Sequence, residues 1–427
     1  MPNNHITMLS PSSQTIGTSL FALAILHIFM TPWFKKLAHS NNRFTHLWHL
    51  FSEIELVFGF WAIIFIGCIW ANEGFITSIN YLSSRSFTEP LFILIIMVIS
   101  ATRPILQIVL SAVLWISRTL PLVNGVVFYC TALSLLPILG SWITEPAAMT
   151  IAALLLSQQL FQQNISTKLK YATLGVLFVN ISIGGTFTTF AAPPIVMVAQ
   201  KWQWDTSFMM ATFAWKATIA IILNTLIATV FFYKELCIIK MIDTQHNEIH
   251  KTPIALVLTH ILLLAAIVFF AHQPVWLIGI FVVFLILTYV SSKYQQRLMI
   301  REGLFVAFFL AGLIVLGEPQ RHWLQPILSS SSDNQLFLGG IVLTAFIDNA
   351  ALTYLASLID NLSDTAQYTL VAGAVTGGGL TVIANAPNPA GAAILKQHFP
   401  NYTIQPFKLL IAALIPTVIA AMAFYYL

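Results

Sequence analysis

Residues Leu338 to Leu358 read LGGIVLTAFIDNAALTYLASL. The stretch is apolar enough for a bilayer, yet an acid–amide pair, Asp348-Asn349, interrupts its middle. A carboxylate in hydrocarbon costs several kcal/mol unless it is partnered or lines a wet cavity. A plain lipid-facing helix is therefore excluded, and Asp348 becomes a functional candidate by position alone. The chain carries a near copy of this stretch. Residues 140–155 read GSWITEPAAMTIAALL, and ITEPAAMT lines up with FIDNAALT. That alignment sets Glu145 against Asp348 and Thr150 against Thr353.

The residues around these two stretches identify the solvent. Of 427 residues, 58% are apolar and 8% are charged, against roughly 25% charged in a soluble domain. The apolar runs are continuous, as in Pro253 to Ala271 and Leu409 to Leu427, whereas a β-barrel shows short alternating segments. The expected fold is an all-α polytopic membrane protein with about eleven transmembrane helices. The net charge of +4 reports orientation in the bilayer, so no nucleic-acid partner is expected. Cys68, Cys130 and Cys237 are scattered without metal or redox spacing and read as small apolar residues. No cationic region precedes the first apolar run, so no cleaved signal peptide is expected.

Helices are expected at about 17–32, at about 53–71 beginning with Glu53 and Glu55, and from Pro90 past Arg103-Pro104 to near Arg118. The loop 33–50 carries Lys35, Lys36 and Arg43, and the loop 72–89 carries Glu73, Arg85 and Glu89. A re-entrant hairpin follows over about 121–161, broken at 140–146. A broken helix over 171–198 is interrupted by Gly184-Gly185 and Pro193-Pro194, and another helix spans about 206–233. These residues make up a first half, 1–233. A hydrophilic linker over 234–252, with Lys234, Lys240 and Lys251, separates it from a second half, 253–427. There the helices run at about 253–271, 275–292 and 303–323. A hairpin over about 335–360 and a broken helix over 366–397 precede a last helix at 406–427. The second broken helix is interrupted by Gly377, Gly378 and Gly379 and by Pro387 and Pro389.

The halves repeat each other beyond the acidic fingerprint. GGTFTTFAAPP (184–194) matches GGGLTVIANAP (377–387), aligning Thr188 with Thr381 and Ala192 with Asn385. Lys216 and Lys408 follow at similar separations, each leading an alanine-rich helix that ends in FFY or FYY. Matches in the same order argue for internal duplication. If the acidic segments are hairpins that do not cross, one side collects Lys35, Lys36, Arg43, Arg118, Lys168, Lys170, Lys234, Lys240, Lys251, Lys293, Arg297, Arg301 and Lys396. The other side collects only Arg85, Lys201 and Arg321. The positive-inside rule makes the first side cytoplasmic. Both termini are then external, and the two halves are inverted.

Backbone leaves helical geometry at membrane depth only where protein or water satisfies its polar groups. The breaks therefore mark a cavity. Carbonyls, threonine hydroxyls, asparagine oxygens and a carboxylate suit a small hard cation, and glycine lets backbone approach it. The expected ion- and proton-binding residues are Asp348, Asn349, Glu145, Thr188, Thr381, Asn385, Thr353 and Thr150. Gly184, Gly185, Gly377, Gly378 and Gly379 form the unwound linkers. Candidate charge partners are Lys408, Lys216 and Arg103. Asp348 is expected to be the main carboxylate, because Asn349 and Asn385 add oxygens beside it. A buried acid can trade H⁺ for Na⁺, since either one neutralises the same charge.

Other polar groups carry less. His246 and His250 share i,i+4 spacing but have no third ligand, while His27, His260 and His272 lie in or near apolar runs. No metalloprotease, nucleophile-elbow or phosphate-loop motif is present, so an enzyme is not expected. No cofactor is expected; sodium is cargo.

TAFIDNAALT, the GGGLTVIANAPNPAG run and the paired inverted hairpins resemble the ion transporter superfamily, which includes arsenite permeases, sodium/dicarboxylate symporters and sodium/proton antiporters. The likeness covers about residues 89–427 and is strong to a family of bacterial sodium/proton antiporters. It implies ion sites at the hairpin tips and linkers, here Glu145, Asp348, Asn349, Thr188, Thr381 and Asn385. It also implies a homodimer in the bacterial inner membrane whose core moves against a scaffold. The dicarboxylate branch carries Ser-Asn-Thr where this chain has acids, which disfavours an anionic substrate. The reading is a secondary transporter exchanging sodium or lithium for protons, with an ion-coupled anion, dicarboxylate or arsenite carrier of the same fold as the alternative.

Overall fold

The computed structural model describes residues 9–38, 44–119, 123–240 and 252–427. Most of the expected linker, His246, His250, Arg43, Lys251 and the first residues of the first expected hairpin lie outside them, as does the side chain of Arg118. Among the described residues there are helices and no strand. The first group is α1 (Pro11–Ala38), α2 (Thr45–Phe51), α3 (Val57–Glu73), α4 (Phe75–Ser83), α5 (Thr88–Ser100) and α6 (Arg103–Thr119). The first acidic segment gives α7 (Asn124–Ile143) and α8 (Glu145–Leu156), followed by α9 (Thr167–Gly184) and α10 (Pro193–Ala199). Then come α11 (Thr206–Met209), α12 (Trp215–Phe231), α13 (Tyr233–Ile238), α14 (Ile254–Phe269), α15 (Pro274–Val290), α16 (Ile300–Gly317) and α17 (Arg321–Ser330). The second acidic segment gives α18 (Asp333–Thr344) and α19 (Asn349–Ser357), and the chain closes with α20 (Asp364–Gly377), α21 (Asn388–Leu395) and α22 (Pro406–Tyr426).

Six of the described helices are long and apolar enough to cross a bilayer, and the bent pair α4–α5, turned by 58°, makes a seventh. This is a multi-pass membrane protein. With the two hairpins not crossing, the expected segments count to ten crossings rather than eleven, and these require the shorter apolar helices α14 and α15 and the broken segments as well; helix length by itself supplies six or seven.

Two local features depart from the expected layout. The loop expected over 72–89 contains α4. Gly74, at φ 93°, turns the chain in the left-handed region that glycine tolerates. The buried Tyr81 then donates its hydroxyl to the Val315 carbonyl at 2.7 Å. Arg85 stacks over the Tyr81 ring at 4.5 Å and pairs with Glu318 at 2.9 Å. The charges that read as a hydrophilic loop are thus partly paired within the fold. The single helix expected from Pro90 to Arg118 bends at Ala101-Thr102, where Pro104 has no N–H to donate into the preceding turn.

Three apolar clusters hold the bundle. One joins α1, α3, α5 and α16 and reaches residues of α10 and α19; a second joins α7, α8 and α9; a third joins α10, α20 and α22. The short helices after the acidic breaks are exchanged across the molecule: α8 packs on α21, and α19 packs on α10. In the first cluster α3 and α16 approach backbone to backbone. A side chain at Gly312 would strike the main chain of Phe58 and Gly59, and one at Gly59 would strike the Phe308 ring. Small residues at such a crossing let two membrane helices pack closely. Gly312→Val should destabilise the fold by about 1–3 kcal/mol, the usual cost of overpacking. The check is the thermal unfolding midpoint of the purified protein in detergent; a midpoint equal to wild type would contradict the close approach.

Candidate functional site

The first acidic break is a single residue wide. Thr144, at φ 74° and ψ 148°, ends α7 in a region that β-branched residues avoid. Such strain costs of order 1–3 kcal/mol and persists only where surroundings enforce it. Here Thr144 is buried with its hydroxyl 3.2 Å from that of Ser100. Pro146 fits the first turn of α8, where no N–H is needed. The second break spans Ala345 to Asp348. Asp348 caps α19, its Oδ1 accepting from the N–H groups of Ala350 at 2.8 Å and Ala351 at 3.4 Å.

Both broken helices unwind where glycines were expected to unwind them. α9 ends at Gly184, and the chain passes a tight turn at 185–187 and extended Thr188 before α10 begins at Pro193. α20 ends at Gly377, and helix resumes at Asn388. Gly185 lies against the Glu145 carboxyl group, and Gly378 lies against Ser182 and the side-chain amide of Asn349; neither position has room for a Cβ.

The bonding at the breaks corrects the register read from sequence. The Glu145 N–H donates to Ala191 O at 3.2 Å, and the Asn349 N–H donates to Ala384 O at 3.0 Å. Ala191 and Ala384 are equivalent in the glycine-run alignment, and so are Gly185 and Gly378. Glu145 therefore occupies the place of Asn349, and Thr144 the capping place of Asp348. The sequence match is anchored on the Ala-Ala and Thr positions that follow, which slide by one residue against the break itself.

The expected threonines brace the breaks. Thr188 donates to Ser141 O at 2.7 Å and Thr381 to Ala345 O at 3.0 Å, each tying an unwound linker to the helix before an acid. Thr150 donates to Pro146 O and Thr353 to Ala350 O within their own helices. Three side chains that sequence reading did not single out share this work, and a fourth, Glu55, lines a small cavity with Asp348. Ser141 donates to Gly184 O at 2.5 Å, and Ser182 donates to Val375 O at 2.7 Å, joining α9 to α20. Asn388 donates to Gly378 O at 2.7 Å and Thr381 O at 2.9 Å. Its signal was present as the second asparagine of the ANAPNP run.

Asn385 links the two acids. Its amide Nδ2 donates to Glu145 Oε2 at 3.0 Å. Asn385 also lines, with Asp348 and Glu55, a cavity of about 30 Å³. Glu145 is fully buried, Asn385 1% exposed and Asp348 9% exposed, so both acids are removed from bulk water. Glu145 Oε1 and the Oδ1 atoms of Asn349, Asn385 and Asn388 are buried without a hydrogen-bond donor. Buried polar atoms are ordinarily satisfied, so these four oxygens are candidate ligands for a donor or a cation.

Two of the expected charge partners, Lys216 and Lys408, meet aromatic side chains. Lys216 Nζ donates to the Tyr368 hydroxyl at 2.8 Å and sits 4.6 Å from that ring's centroid. Lys408 Nζ is 5.9 Å from the Tyr171 ring centroid, beside a mostly apolar groove that Lys168 also lines. Their long stems carry the ammonium groups to aromatic faces of neighbouring helices. Arg103 opens α6. Among the described residues, no ion pair joins Lys216 or Lys408 to Glu145 or Asp348.

Residues 12–427 match the sequence profile of the family described as "Putative Na+/H+ antiporter". No curated protein matches the chain. The match spans nearly all of a chain that is apolar, helical and multi-pass. This protein belongs to that Na⁺/H⁺ antiporter family.

Proposed function

We propose that this protein exchanges sodium or lithium for protons at a site formed by Glu145, Asp348 and Asn385. The observation that supports this most is the hydrogen bond from Asn385 to Glu145, made by a residue that also shares a small cavity with Asp348. A carboxylate in such surroundings is costly when bare and is relieved by a proton or a cation. Proton and sodium therefore compete for the same oxygens, and binding one displaces the other. Asn349 and Asn388 contribute further oxygens at the linkers. Two acids at the site disfavour an anionic cargo.

The same reading organises the chain. The halves 1–233 and 253–427 are inverted repeats with hairpins over about 121–161 and 335–360 that do not cross, so five crossings in each half leave both termini external. The cargo site lies near the midplane where the repeats meet, as in other inverted-repeat carriers. The exchange of α8 and α19 between partners suits a core that moves as one body. Helices α1, α3 and α16 supply the scaffold, a homodimer interface and the surface against which the core travels, in a bacterial inner membrane.

In proteoliposomes, Glu145→Gln and Asp348→Asn should each abolish sodium-driven proton movement, because each makes permanent the neutral form that the cation must displace. Asn385→Ala removes a hydrogen bond to a carboxylate worth about 1.5–3 kcal/mol. It should raise half-saturating sodium at least about tenfold. Wild-type flux in both acid variants would overturn the assignment.

Gly185→Ala should leave the protein folded but strongly reduce transport, since the added methyl occupies the space of the Glu145 carboxyl. The measurements are size-exclusion profile and sodium-driven proton flux on one preparation. Undiminished flux would show that this contact does not bear on the site.

A further inference from the structure

Glu55 is an acid for which the exchange site above has no use. It stands in the short turn Ile54–Leu56 that leads into α3. That turn packs on α16, whose Val306 and Phe309 form one wall of the cavity of about 30 Å³ next to Asp348. The opposite wall is Ile383, Ala386 and Pro389, from the unwound linker and the start of α21. In this apolar enclosure the polar side chains are Glu55, Asp348 and Asn385. A volume of that size admits about one water-sized species. Two carboxylates lining so small a space repel each other, and a positive charge between them relieves that repulsion.

A second observation points the same way. Asn385 Oδ1 is buried with no donor, while its Nδ2 is committed to Glu145. The cavity is thus lined by two acids and a side chain with an unmatched acceptor oxygen, which suits a small cation or a proton rather than a neutral donor-rich ligand. Glu55 also follows the loop that carries Lys35, Lys36 and Arg43, the side that the positive-inside rule assigns to the cytoplasm.

We propose that Glu55 and Asp348 form a second cation site, an entry position through which sodium or a proton reaches the Glu145–Asn385 pair from the cytoplasmic side. This rests on the antiport reading given above. Glu55 stands on the turn before α3 that packs on α16, whereas Asp348 caps a helix that packs on α10 across the molecule. If the core moves, this pair exists in one orientation of the carrier and parts in the other, so the entry position is offered on one side only.

The test uses the full-length protein in proteoliposomes, with sodium chloride titrated on the side corresponding to the cytoplasm. Glu55→Gln should raise half-saturating sodium about tenfold on that side and keep the maximal rate within about twofold. Sodium applied to the opposite side should act as in wild type. Equal half-saturation on both sides, or loss of maximal rate at unchanged half-saturation, would overturn the proposal. Should Glu55→Gln not fold, Glu55→Asp keeps the charge but withdraws it by one methylene. It should raise half-saturating sodium about threefold on the same side, and no rise would overturn the proposal equally. Asp348→Asn is run alongside. If it is inactive while Glu55→Gln matches wild type, the entry position fails and the exchange site stands. If Asp348→Asn transports normally, the antiport reading itself fails.

Discussion

The structure turns on what a carboxylate needs once it has left water. Glu145 is fully buried, and its one side-chain hydrogen bond comes from Asn385, 240 residues further along the chain. Everything near that contact makes it possible. Thr144 accepts a strained conformation so that α8 can start there. Gly185 gives up a side chain so that the carboxyl group fits. Ser141 and Thr188 hold the linker in place. Strain and an unmatched oxygen at one break mark it as a candidate site.

The two acids are compensated differently. Asp348 sits at the N-terminus of α19, where two backbone N–H groups and the helix dipole favour negative charge. Glu145 has one amide donor and an Oε1 with none. This asymmetry was hidden in the sequence, where ITEPAAMT and FIDNAALT set the acids against each other. In space Glu145 answers Asn349. The duplicated motif was a sound guide to where the chain breaks but a one-residue error in which side chain does what. The error has a physical origin. A left-handed Thr144 shortens the first break relative to the second, and residue matching does not see backbone dihedrals.

Much else was legible for reasons that can be named. An acid inside a twenty-residue apolar stretch must mark a break, and both breaks lie there. Glycine runs unwound both broken helices within a residue of Gly184 and Gly377. What escaped were pairings made in three dimensions. Arg85 and Glu318 lie far apart in sequence, so residues 72–89 looked like a loop. Lys216 and Lys408 looked like counter-ions because they are cations within apolar segments, yet tyrosine faces receive them. Glu55 looked like an ordinary helix-start acid, and only the packing of its turn on α16 brings it to Asp348.

The account stands on competition between sodium and protons for the same oxygens, and proton release on sodium binding reads that competition without any membrane. Sodium chloride added to the purified protein in weakly buffered detergent solution should release protons in stoichiometric amount from wild type. Glu145→Gln and Asp348→Asn should release fewer. Saturable sodium binding with no proton release from wild type would contradict the shared site.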